Sequence, residues 1–286
     1  MRTFVLVFVL FPLCSFLITP TSLGLLQVSQ NIPSSGVIST VVSTLKFRTD
    51  FSDVVSIEYR GLIFRGVSFR NVVNYEEGTA RIEVVEDTSA QGGVSFYMEV
   101  FKGQPTHKRC DMNWYIRDLG VNQEFYIDSR LKLRADYDLA PPHDFPTWGP
   151  WHEIMDLFSE WTSAEPENYL YMPLILGKGP NGFKFSLSLR KGGTDPYTLW
   201  SQSALVDVPR GEWFHLRFYI RRDRTNGVVK VWLNGQLMFD VSGVQTMGKS
   251  DEFFTTPAKL YGGEILPEKV LWVDSVEVHD GLPSSV

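Results

Sequence analysis

From Phe47 to the carboxyl terminus, apolar and polar residues alternate with a period of two, the pattern of strands that bury one face and wet the other. Val94, Phe96, Met98 and Val100 alternate with Ser95, Tyr97 and Glu99. Phe125, Ile127, Leu131 and Leu133 alternate with Tyr126, Asp128, Arg130 and Lys132, and Phe183, Phe185, Leu187 and Leu189 with Lys184, Ser186, Ser188 and Arg190. Phe214, Leu216, Phe218 and Ile220 likewise oppose His215, Arg217, Tyr219 and Arg221. Asn226-Gly227 and Asn234-Gly235 bracket the apolar run Val228 to Leu233 and predict two tight hairpin turns. Residues 270–279 predict a last strand, with Trp272 and Asp274 on one face. Helical periodicity is confined to residues 151–161, which also read as a strand.

Many short strands with Gly- and Pro-rich turns, and no linker, predict one all-β domain, an antiparallel two-sheet β-sandwich over residues 47–286. Residues 25–46, rich in Ser, Thr, Val and Gln, read as a spacer or edge strand. Residues 1–24 read as a secretory signal peptide: Arg2 gives the positive start, Phe4 to Ile18 is almost wholly apolar, and Ser22-Leu23-Gly24 supplies small residues for cleavage. The expected location is therefore extracellular.

Composition adds the core and the compartment. Twenty Phe, 11 Tyr and 8 Trp accompany only 2 Cys. Cys14 falls in the signal segment, so Cys110 has no partner for a disulfide and reads as a small buried hydrophobe. Stability must come from apolar packing. Against 27 Lys and Arg stand 33 Asp and Glu, a net charge of -6. Such a surface does not suit a nucleic-acid binder or, beyond the signal segment, a membrane binder. The oligomeric state is not legible.

The order of segments gives a resemblance. Gly211-Glu212-Trp213-Phe214-His215-Leu216, followed by Gly227-Val228-Val229-Lys230-Val231-Trp232-Leu233-Asn234-Gly235, resembles the hairpins of concanavalin A-like jelly rolls. Leu271-Trp272-Val273-Asp274-Ser275-Val276-Glu277-Val278 resembles their closing strand. Within that lectin and glucanase superfamily the chain looks most like secreted polysaccharide lyases. Arg109-Cys110-Asp111-Met112, Gln123-Glu124-Phe125-Tyr126 and Trp151-His152-Glu153-Ile154-Met155-Asp156 sit where those enzymes carry their functional strands. Asp111 stands where they have Glu, and their Gln-x-His pair is absent as such.

The resemblance implies a lyase that cleaves a uronic-acid polysaccharide by β-elimination, with no cofactor. Such an enzyme neutralises the sugar carboxylate, removes the acidified proton beside it and protonates the leaving oxygen. The implied catalytic residues are Arg109 for the carboxylate, His152 as base or neutraliser, and Tyr126 or Tyr219 as acid. Arg130, Lys132, Arg190 and Arg217 would line the groove. Trp148 and Trp151, beside the Pro- and Gly-rich residues 141–150, would stack on sugar rings.

Two other readings stay open at this point. A carbohydrate-binding module without catalysis would need only the aromatic residues. A glycoside hydrolase would need two carboxylates, and Glu153, Asp156 and Glu160 supply a cluster. Glu153 and Asp156 have opposite parity, so one would enter the core unless the strand bulges. Asp136-Tyr137-Asp138 is a candidate structural calcium loop; otherwise no metal site is expected.

Overall fold

The computed structural model describes residues 43–286 apart from 59–60, 76–77, 102–108, 140–150, 161–169, 180–181, 192–196, 249–252 and 263–267. The expected signal peptide, most of the stretch expected as a spacer or edge strand, Trp148 and the side chain of Trp151 lie outside the described residues. Eighteen strands are described: β1 (Thr44–Thr49), β2 (Val54–Glu58), β3 (Gly61–Phe64), β4 (Asn71–Tyr75), β5 (Ala80–Glu86), β6 (Val94–Val100), β7 (Arg109–Trp114), β8 (Glu124–Leu133) and β9 (Trp151–Ser159). There follow β10 (Leu170–Gly179), β11 (Gly182–Lys191), β12 (Tyr197–Val206), β13 (Trp213–Arg221), β14 (Gly227–Leu233), β15 (Gln236–Val244), β16 (Phe254–Thr256), β17 (Lys259–Gly262) and β18 (Lys269–Asp280).

They form two antiparallel sheets. The first runs β15-β14-β13-β8-β18-β6-β5, with β1 also on β18. The second runs β12-β11-β10-β9, then reaches β7 through the short β16 and β17, with β4 on the far side of β7; β2 and β3 make a separate hairpin. The apolar files of the alternating strands meet between the sheets, where Phe96, Phe125, Phe185, Phe214 and Phe218 are fully buried. Strand β1 begins at Thr44, inside the stretch expected as a spacer or edge strand, and of the two readings of residues 151–161 it is the strand that forms, over 151–159.

The two Asn-Gly pairs behave differently. Asn234 and Gly235 have φ of 48° and 82°, and Leu233 pairs with Gln236, so this is the tight hairpin expected. At Asn226-Gly227 the expectation fails. The connection from β13 to β14 is longer, and the Asp223 carboxylate holds it by accepting from the backbone N–H groups of Thr225 and Asn226. Gly227 is instead the first residue of β14, and a Cβ there would lie 1.9 Å from Thr246 Oγ1.

Cys110 is buried, its thiol directed at the carbonyls of Glu99 and Arg81, and burial pushes its pKa up to about 12. Asp136 engages Arg134, while Asp138 lies near Lys178 and its carbonyl accepts from the buried Lys269. Tyr137, between the two acids, turns into the core.

Candidate active site

On the outer face of the second sheet, four neighbouring strands aim ionisable side chains at one point. Strand β7 alternates Cys110, Met112 and Trp114 inward, leaving Arg109, Asp111 and Asn113 outward. Strand β17 sends Leu260 inward and Lys259 and Tyr261 outward. Strand β9 would present only one of Glu153 and Asp156 if it were regular. Its pairing with β10 slips twice, from Met172–Phe158 to Pro173–Asp156 and from Leu174–Met155 to Ile175–Glu153. Leu157 and Ile154 are the extra residues, and both are buried in the core. Pro173, which has no N–H to donate, sits at the first slip. The slip at Ile154, which lies between Glu153 and Asp156, puts both acids on the outer face.

Lys259 is the hub. Its Nζ lies 2.7 Å from Glu153 Oε2 and 2.8 Å from Asp156 Oδ2, so these two oxygens are no more than about 5.5 Å apart. Asp111 accepts from Asn74 Nδ2 at 2.6 Å and pairs with Arg109 at 3.4 Å. All four charged groups of the hub are buried, whereas the Arg109 side chain is 53% exposed. Burial alone would lower the Lys259 pKa; Asp156, Glu153 and Asp111 together raise it, so the ammonium is retained. Burial raises Glu153 and Asp111 above the ordinary carboxylate range, more than Lys259 can reverse.

Two tyrosines flank the hub. The Tyr261 and Tyr171 rings lie 5.0 and 5.5 Å from Lys259 Nζ, and Tyr171 hydrogen-bonds to Glu153. Burial first, and the neighbouring acids next, raise both phenols, so both keep their protons. Register sets the surface layout. Arg109 pairs with Tyr261, Tyr261 with Glu153, Glu153 with Ile175, Ile175 with Ser186 and Ser186 with Ser203, one row running across the sheet. Arg190 stands opposite Tyr171, with its Nε on Ser188.

Of the residues singled out in the sequence, Arg109 and Arg190 lie on this face. His152 is in the same sheet but points inward: it is buried, its Nδ1 shares a hydrogen bond with the Tyr137 hydroxyl, and burial holds its pKa well below the usual imidazole value. Its neighbour Glu153 occupies the outer face instead. Tyr126 and Tyr219 are paired with each other on β8 and β13, in the first sheet. They pack with Trp232 in a separate small cluster, Tyr219 donating to Glu124. The four residues expected to converge therefore do not form one site.

Arg130, Lys132 and Arg217 are also on the first sheet, each with an acid: Asp274, Asp87 at 2.7 Å and Asp128 at 2.7 Å. Glu160 is apart from the other two acids, bound by Arg222 and by the backbone N–H of Gly248.

Sequence reasoning missed Lys259, Tyr261, Tyr171 and Asn74. The alternation Lys259-Leu260-Tyr261 was the only available signal, and three residues are too few to carry it.

The frame is a two-sheet sandwich with a buried charge cluster on one outer face. The polysaccharide lyase family matches residues 64–277, and the chain belongs to that family. No curated protein matches. Among solved structures, the endo-β-1,4-glucuronan lyase of the fungus Trichoderma reesei superposes with a TM-score of 0.55 at 14% identity, covering 82% of this chain and 95% of that one. The alginate lyase Aly36B gives 0.44 at 10% identity over 73% and 96%. An endo-β-galactosidase from Clostridium perfringens that releases GlcNAcα1-4Gal gives 0.48 at 11% identity over 87% and 66%. At such identities the likeness to the first is one of fold.

Proposed function

We propose that the chain is an exported lyase that cleaves a uronate-containing polysaccharide by β-elimination on the outer face of the second sheet. The observation that carries this reading is the cross-strand row Arg109–Tyr261–Glu153, whose acid is ion-paired to the buried Lys259. Adjacent strands are about 4.8 Å apart, so the three side chains span about one sugar and its linkage. The exposed Arg109 guanidinium takes the sugar carboxylate and lowers the cost of charge developing beside it. Glu153, whose raised pKa makes it a stronger base than an ordinary carboxylate, accepts the proton at C5. As the C5–H electrons form the C4–C5 double bond, the bond from C4 to the glycosidic oxygen breaks and Tyr261 protonates that oxygen. Lys259 retains its charge throughout and holds Glu153 in place. Export rests on the signal-like residues 1–24.

Incubation with uronate polymers tests the reading. The expected result is new ultraviolet absorbance from the unsaturated product. New reducing ends without that absorbance would mean hydrolysis by Glu153 and Asp156, and retention on polymer with neither would mean a binding module.

A further inference from the structure

We infer that β12 is a self-association edge, through which two copies of the chain pair antiparallel about Gln202 and join their second sheets. Strand β12 ends the second sheet, paired with β11 on one side and with no described strand on the other. It is ten residues long, and its sequence, YTLWSQSALV, holds no charge, no proline and no glycine. Leu199 and Leu205 are 38% and 71% exposed, and Ser201, Gln202 and Ser203 are exposed between them.

The other described edges are blunted in familiar ways. Strand β5 carries Arg81, Glu83 and Glu86, and β1 carries Lys46 and Arg48. Strand β15 has Asp240, paired with Lys230, and a left-handed Gly243. The short β4 is capped by the β2–β3 hairpin, with the Asn71 side chain bonded to both the N–H and the carbonyl of Leu62. Strand β12 carries neither charge nor proline, and its one irregularity is the slip at Leu199 against β11, near its start.

What selects a second copy as the occupant is the symmetry of the sequence. Around Gln202 it reads Leu-Trp-Ser-Gln-Ser-Ala-Leu, nearly the same in both directions. A two-fold axis at Gln202 sets Leu199 against the partner's Leu205 and Ser201 against the partner's Ser203. Each exposed leucine meets its like, each serine meets a serine, and no charge meets a charge. The free N–H and C=O groups of the edge satisfy one another. Such an axis stands perpendicular to the sheet, so both outer faces, and the candidate sites on them, point the same way.

The mass of the full chain in solution, measured by light scattering across a concentration series, tests this independently of any activity. The expected mass is twice the chain's 32.6 kDa. Ser201→Lys with Ser203→Lys sets lysine against lysine and should give monomers. Ser201→Lys with Ser203→Glu sets opposite charges across the axis and should keep the dimer. A Gln202→Cys variant, whose thiols meet at the axis, should form a disulfide-linked dimer on mild oxidation even where a charged variant fails to fold. A monomeric parent chain, a double-lysine variant that stays dimeric, or an uncrosslinked cysteine variant would overturn the inference.

Discussion

Lys259 is the residue on which the candidate site balances. Three buried carboxylates surround one buried ammonium, and none of them has enough water to be stable alone. Lys259→Met keeps the length of the side chain but removes the charge, and should cost about 3–5 kcal/mol at neutral pH. The cost should depend on pH in a definite direction. Glu153 and Asp111 have raised pKa values in the fold, so folded chains hold those protons more tightly than unfolded ones. Stability from such groups is present at low pH and is lost as pH rises through the raised values. Removing the ammonium raises them further, so the deficit should be small near about pH 4 and should grow toward about pH 8. Denaturant unfolding of both proteins across that range measures it; a gap that narrows with rising pH would contradict the charge balance described here. None of this was legible from the sequence. A lysine in an alternating strand is expected on a wet surface, and its burial depends on acids from strands about 100 to 150 residues away.

At the scale of elements, period-two alternation located the long strands well. Residues 94–100 and 125–133 lie in β6 and β8, and residues 214–220 in β13. It could not show which sheet each strand joins, because alternation states that one face is buried and not which partner buries it. The resemblance groups Tyr126 and Tyr219 with Arg109, and the sheet order separates them. Bulges were equally hidden. Parity puts Glu153 and Asp156 on opposite faces, and the one slip between them, at Ile154, reunites them.

The glycines that end strands divide by cause, and substitution separates the causes. Gly235→Ala places a side chain at φ 82° with nothing within 4 Å, so it should cost about 1 kcal/mol from backbone strain alone. Gly227→Ala has no such strain, but its Cβ would displace Thr246, whose hydroxyl donates to the Arg221 carbonyl and accepts from Asp223 N–H. A loss of about 1–3 kcal/mol is expected there. Thermal melts of both variants check this, and a Gly227→Ala protein as stable as the parent would remove the close-approach argument.

For the whole molecule, the sandwich has two faces of different character. The first sheet's outer face is a lattice of satisfied pairs, in which Arg130, Lys132 and Arg217 each hold an acid. The second sheet's outer face buries charge in excess of its partners and leaves Arg109 exposed beside Tyr261. The fold and the family were legible from strand order and the hairpin motifs. The side of the sandwich that acts was not, since it is set by packing between strands distant in sequence. The central claim is that chemistry belongs to the second face, and one comparison tests it. Initial rates of unsaturated-product formation should fall by about 10²–10⁴ in Tyr261→Phe, with polymer binding kept, and should stay near the parent value in Tyr219→Phe. The reverse order, or equal loss in both, would place the reaction elsewhere and contradict the account.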